Sequence, residues 1–181
     1  MRQASPIWAA RAARYPMIRK VPMNYHDGTL AKANEISTAP SSPTRDEYYQ
    51  ICLRHLKTGE LEQAEARCRE GLAVDANHAG LLHLMAGVSL LNGDYDAAIN
   101  WAGRALTNEM KATYLATFGT ALQGKGLQAE ALEAFERAVE LDPVDPSIWE
   151  NFGHALNRAG HADQASLCFA TAREVSETGV A

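Results

Sequence analysis

All four phenylalanines of this chain fall in two pairs 34 residues apart, Phe118 with Phe152 and Phe135 with Phe169. Around them the sequence repeats in register: FGTALQGKGLQAEALEAFERA is followed by FGHALNRAGHADQASLCFATA. Gly119 and Gly153, Leu122 and Leu156, Gly126 and Gly160, Ala131 and Ala165, and Ala138 and Ala172 match at that spacing. Upstream, Gly93, Ala98 and Ala105 precede Gly126, Ala131 and Ala138 by 33, and Gly59, Ala64 and Gly71 precede Gly93, Ala98 and Ala105 by 34. A self-similarity of this period marks a chain built from stacked supersecondary units. Four units are expected, at 45–78, 79–111, 112–145 and 146–179, behind a lead of residues 1–44.

The residue types within a unit predict a pair of helices. Small residues at the eighth place (Cys52, Ala86, Gly119, Gly153) and the twentieth (Ala64, Ala98, Ala131, Ala165) let two helices approach closely, beside large apolar residues at the seventh. Gly59, Gly93, Gly126 and Gly160 stand between two helical periods, where a residue free to take positive φ ends the first helix. One pair cannot bury its own apolar face, whereas four stacked pairs can. Gly71 stands where the other units have alanine and reads as a weak point of about 0.5–1 kcal/mol in a helix interior.

These residues resemble the tetratricopeptide repeat, a helix-turn-helix unit with the pattern W-x2-L-G-x2-Y, then A-x3-F, A and P. Trp149, Phe152, Gly153, Leu156, Ala165, Phe169 and Ala172 occupy those places in the fourth unit, and Leu115, Phe118, Gly119, Leu122, Ala131, Phe135, Ala138 and Pro143 in the third. The second unit is looser (Leu82, Met85, Ala86, Ala98, Ala102, Ala105) and the first looser still (Tyr48, Ile51, Cys52, Ala64, Cys68). The resemblance implies an all-α, right-handed α-solenoid of four repeats. It extends to bacterial members of the family and to the repeat regions of O-linked N-acetylglucosamine transferase-like glycosyltransferases, which the stretch DANHAGLLHLMAGVSLLNGDYDAAI looks like.

Composition removes other classes. With 46% hydrophobic and 22% charged residues the chain is rich enough in apolar side chains to form a core. Three cysteines are too few for a disulfide framework, so a reducing, cytoplasmic setting is expected. The longest nearly apolar run, Leu81 to Leu91, has 11 residues, against roughly 20 for a membrane span. The net charge of −5 gives no electrostatic reason for nucleic-acid binding. That charge is uneven: residues 1–44 carry +4 and residues 45–181 carry −9. Five of the seven prolines lie in the lead, which is expected to be disordered or partly helical. Its first 22 residues hold five basic residues and no acid, as an organellar presequence does, but Pro6, Pro16 and Pro22 interrupt such a helix; a tail, or a start at Met17 or Met23, is the alternative.

Three apparent chemical motifs weaken on inspection. GTALQGKG (Gly119 to Gly126) is one residue from a phosphate-binding loop, and GKGLQA (Gly124 to Ala129) matches a dinucleotide fingerprint; both need a preceding strand, where this sequence has helical period. His78 and His83 are five apart and do not share a helix face as a zinc pair does. Cys52, Cys68 and Cys168 occupy or adjoin core places and read as buried thiols. No cofactor, metal site or catalytic residue is expected, and the chain is read as a non-enzyme.

Function is therefore expected from a surface. In the family, first helices line a concave groove, which the resemblance places at the second, fifth, ninth, twelfth and thirteenth residues of each unit. The first two units supply Asp46, Tyr49, Leu53, Leu56 and Lys57, then Gly80, His83, Gly87, Leu90 and Leu91; this end is partly apolar. The last two supply Thr113, Ala116, Thr120, Gln123 and Gly124, then Ser147, Glu150, His154, Asn157 and Arg158; this end is polar. Such a groove suits a peptide or helix of a protein partner, with no nucleic acid and no membrane involved. The alternative for Leu53, Leu56, Leu90 and Leu91 is packing between units or against the lead. The lysine and asparagine clamp of chaperone-binding members is replaced by Tyr49 and Leu53, so chaperone C-termini are not expected as ligands. Asn151 is the residue type of an asparagine ladder, but Gln50, Leu84 and Thr117 break it. The expected role is a non-catalytic scaffold or adaptor, the alternative a recruiting module for a separately encoded glycosyltransferase or other enzyme. Ser166 and Arg173 partly cap the last helix and Leu167 does not, so a monomer or a weak homodimer through terminal repeats is expected.

Overall fold

A computed structural model describes residues 43–178 of the chain. Most of the basic lead, including the stretch weighed as a presequence, lies outside the described residues. Among those described there are eight helices: α1 (Arg45–Thr58), α2 (Leu61–Val74), α3 (Ala79–Leu91), α4 (Tyr95–Asn108), α5 (Ala112–Gly124), α6 (Gln128–Leu141), α7 (Pro146–Arg158) and α8 (Ala162–Thr178). No described helix is long and apolar enough to cross a membrane.

Local chemistry sets the helix ends. Thr44 opens α1 with a capping box: the Glu47 N–H donates to its hydroxyl and its own N–H donates to the Glu47 carboxylate, 2.7 Å away. The His78 imidazole accepts the Leu81 N–H and starts α3, and Asp94 and Asp145 do the same for α4 and α7. Each first helix of a pair stops at a glycine with φ of 77, 74, 86 and 83° at Gly59, Gly93, Gly126 and Gly160. A side chain there would be strained in the left-handed region, so these four residues fix where each chain reversal falls.

Packing within the last two pairs sets a ring against a glycine. A β-carbon on Gly119 would lie 3.1 Å from the Phe135 ring, and one on Gly153 would lie 2.7 Å from that of Phe169. The second pair meets through the fully buried Ala86 and Ala102, and the first has the fully buried Cys52 and Cys68 at the same two places. Gly71 corrects the sequence expectation. It is mid-helix and buried, and a β-carbon on it would lie 2.6 Å from Leu81 and 2.8 Å from Tyr48. The first unit thus puts a tyrosine where the space of an alanine methyl would be, and glycine is required there.

Stacking gives the molecule its two faces. Each even-numbered helix packs on the next odd-numbered one, and successive odd-numbered helices also touch (α1 on α3, α3 on α5, α5 on α7). Successive even-numbered helices do not touch. The odd-numbered helices therefore form the crowded inner layer of a curved stack, and their free side is the concave one. At the far end, Val139 of α6 is buried by the next unit, while Ser166, Leu167 and Arg173 of α8 are exposed.

Candidate partner-binding groove

The two central inner helices stand apart in charge. Neither α3 nor α5 contains an Asp, Glu, Lys or Arg, whereas α6 alone carries Glu130, Glu133, Glu136, Arg137 and Glu140. A solvated helix surface ordinarily carries charge. Two adjacent helices without any, side by side on the concave layer, form a floor on which neutral groups meet whatever binds.

The groove residues expected from sequence divide into three sets. Tyr49, Leu53 and Leu56 are half-buried against the core cluster that holds Tyr48, Cys52, Cys68, Leu81 and Met85, so much of their apolar surface serves packing within the stack. Tyr49 also explains Gly80, where a β-carbon would lie 2.9 Å from its ring. Leu90 is half-buried and Leu91 is 66% exposed at the end of α3; Lys57 is exposed at the end of α1. Glu150, His154, Asn157 and Arg158 are exposed on α7, the His154 ring standing edge-on to Phe169 at 5.0 Å. Asp46, Thr113 and Ser147 are exposed and Ala116 is buried.

The third set lies at the centre. Thr120 is half-buried and its hydroxyl donates to the Ala116 carbonyl at 2.9 Å. Gln123, expected on the surface, is only 9% exposed, and its Nε2 has no partner among the described residues. Gly87 is the reverse case: a β-carbon on it would meet nothing within 4 Å. A helix that leaves bare backbone facing empty space, one turn from His83, makes a recess in the floor.

His83 is tied into α5. Its ring stacks on Tyr114 at 4.5 Å between centroids, and its Nε2 is 2.9 Å from Thr117 Oγ1. The Thr117 hydroxyl is itself 3.0 Å from the Thr113 carbonyl, which has no proton to give. Thr117 therefore donates to Thr113 and accepts from His83, which places the imidazole proton on Nε2. Burial, helped by the nearby Lys111 ammonium, pushes the His83 pKa down to about 4, so the ring is neutral at neutral pH. Lys111 is paired with Glu109 at 2.9 Å. Thr117, Tyr114 and Lys111 were absent from the groove set read from sequence. Thr117 gave no signal at the period: the units are 33 apart here, so the residue in register with His83 is Ala116 and Thr117 follows it by one.

The apparent chemical motifs are accounted for by structure. GTALQGKG lies on α5 and its turn, not behind a strand; Gly119 faces Phe135, Gly126 makes the reversal, and Gly124 faces Tyr95, whose ring leaves no room for a β-carbon there. Lys125, the lysine of the motif, pairs with Asp96. His78 caps α3 while His83 bonds to α5, so the two point to different tasks. All three cysteines are free and buried, and burial pushes the Cys168 thiol up to about 11.

A curved stack of helix pairs with small-against-large contacts and an open concave face is a protein-interaction module. A family model described as tetratricopeptide repeat matches residues 112–145. Lipopolysaccharide assembly protein B of Escherichia coli K12 is 30% identical over 95 residues, which are 51% of this chain and 24% of that protein. The chain thus spans about a quarter of that relative's length. An uncharacterized protein of Methanocaldococcus jannaschii, MJ0572, is 37% identical over 62 residues, 34% of this chain and 72% of that one. Among solved structures, YrrB, described as a TPR protein with an unusual peptide-binding site, superposes with a TM-score of 0.60 at 27% identity, over 71% of this chain and 67% of that one. The chain belongs to the tetratricopeptide repeat family.

Proposed function

We propose that the chain is a non-catalytic scaffold or adaptor that holds a peptide or helix of a partner protein in its concave groove. One observation carries this reading: the recess over Gly87, open to beyond 4 Å on an uncharged floor, with Leu91 66% exposed at its rim. A surface without charge and with bare backbone gains little from water and has room for a partner's chain. The wall from α1 (Tyr49, Leu53, Leu56, Lys57) offers apolar anchoring beside one cation, and the wall from α7 (Glu150, His154, Asn157, Arg158) offers polar contacts. YrrB's described peptide site supports a groove of this use in a related fold. The free, buried thiols fit a reducing compartment, and we place the protein in the cytoplasm, as a monomer or a weak homodimer through the exposed Leu167 end.

Affinity capture with the intact chain and with Gly87→Met, Leu90→Glu and Tyr49→Ala, each checked by thermal melting, tests this. Methionine at 87 enters empty space and raises helix propensity, so Gly87→Met is expected to gain up to about 1 kcal/mol of stability while losing the captured partner. An identical set of captured proteins for all four chains contradicts the reading.

A further inference from the structure

We propose that the centre of this groove, between α3 and α5, selects an uncharged partner segment that places a carboxamide N–H, from Asn or Gln, on Nδ1 of His83. This rests on the groove reading above and specifies its ligand. The Nε2 proton of His83 is committed to Thr117, whose own proton is committed to the Thr113 carbonyl. Nδ1 therefore presents a lone pair, with no partner among the described residues. Thr120 likewise gives its proton to the Ala116 carbonyl and turns only lone pairs outward. Two acceptors thus share the inner layer with Gly87, whose place opens onto empty space: Nδ1 one turn before it on α3, and Thr120 at the same ninth place of the next unit.

Charge settles which donor fits. α3 and α5 hold no fixed charge, and Lys111, the cation that bears on His83, is already paired with Glu109. A lysine or arginine entering the recess would lose its hydration with no anion to offset the loss, and would face the Lys111 ammonium that already bears on His83. A carboxylate would face the lone pairs of His83 Nδ1 and the Thr120 hydroxyl and would lose its hydration beside a lysine already paired with Glu109. A carboxamide loses less hydration and supplies the N–H that the two acceptors lack.

The probe is a random 12-residue peptide display library, selected at neutral pH on the intact chain and on His83→Phe, which keeps a ring against Tyr114. The expected result is a set of binders with Asn or Gln at one fixed position and no Asp, Glu, Lys or Arg beside it. Affinity of the tightest synthetic peptide should fall roughly tenfold on His83→Phe, the loss of about one hydrogen bond. Replacing the peptide's Asn by Asp should weaken it at least as much, a comparison that leaves the protein untouched. Raising salt from about 50 to about 500 mM should change affinity less than about twofold, since no ion pair is made. Binders with a charged residue at the fixed position, or equal affinity for His83→Phe, overturn the selectivity while leaving the groove function standing. A library that yields no binders on the intact chain overturns both.

Discussion

At the scale of single residues, the informative positions are those where the structure departs from the repeat average. Gly71 is one. Helix propensity alone predicts that Gly71→Ala stabilises by up to about 1 kcal/mol, but the methyl would overlap Leu81 and the Tyr48 β-carbon. Overpacking of a close contact costs about 1–3 kcal/mol, so the expected outcome of urea denaturation is a net loss for Gly71→Ala. A gain would show that Tyr48 and Leu81 move aside freely. His83 is another. Its folded pKa of about 4 lies below the ordinary 6.5, so as pH falls through that window the unfolded chain takes up a proton that the folded one refuses. Stability is unaffected by this group above pH 6.5 and is lost progressively from 6.5 down to about 4, by about 3 kcal/mol at most. His83→Phe should remove that part of the acid slope; melting temperature against pH for both proteins is the measurement, and parallel curves would contradict the buried neutral ring.

At the scale of helices, energy is concentrated where one pair is covered by the next. Phe135 of α6 is 1% exposed, touches Gly119 in its own unit and stacks with Phe152 of the following one at 6.5 Å. Phe169 holds the matching place in α8, where no further helix pair covers it among the described residues, and is only half-buried. Phe135→Ala is therefore expected to cost about 3–5 kcal/mol in chemical denaturation, and Phe169→Ala less than about half of that. Equal losses would mean that the last pair is covered in solution. This contrast also shows how much the sequence discloses. The small residues at the eighth place are legible because they recur at the period, whereas their partner at the twenty-fourth, a ring in the last two units and a small residue in the first two, is seen only in the structure. The four reversals at Gly59, Gly93, Gly126 and Gly160 are legible too, since each needs positive φ. What period cannot show is contact between unlike neighbours: Tyr49 over Gly80 and Tyr95 over Gly124 each involve an aromatic present in one unit only, and Tyr48 packs on a glycine where the other units have alanine.

At the scale of the whole molecule, stacking turns a charge pattern into a functional surface. The uneven burial of the groove set was not legible for the same physical reason. Gln123 and Thr120 occupy adjacent groove places on one helix, yet only the structure shows the amide withdrawn at 9% exposure, with Thr120 left half-buried. The absence of charge from α3 and α5 was readable in the sequence, but its meaning needed the observation that odd-numbered helices touch one another and even-numbered ones do not. That contact pattern makes the uncharged pair the concave floor and leaves the glutamates of α6 on the outer layer. The same chain with the curvature reversed would line its groove with the glutamates of α6 and turn the uncharged pair outward.

The most direct test of the concave face as the binding surface is an amide NMR titration of the intact chain with a library-selected peptide. The account predicts shift changes concentrated on α1, α3, α5 and α7, strongest around His83, Gly87 and Thr120, with α6 silent. Changes centred on the outer helices α2, α4, α6 and α8 would contradict it.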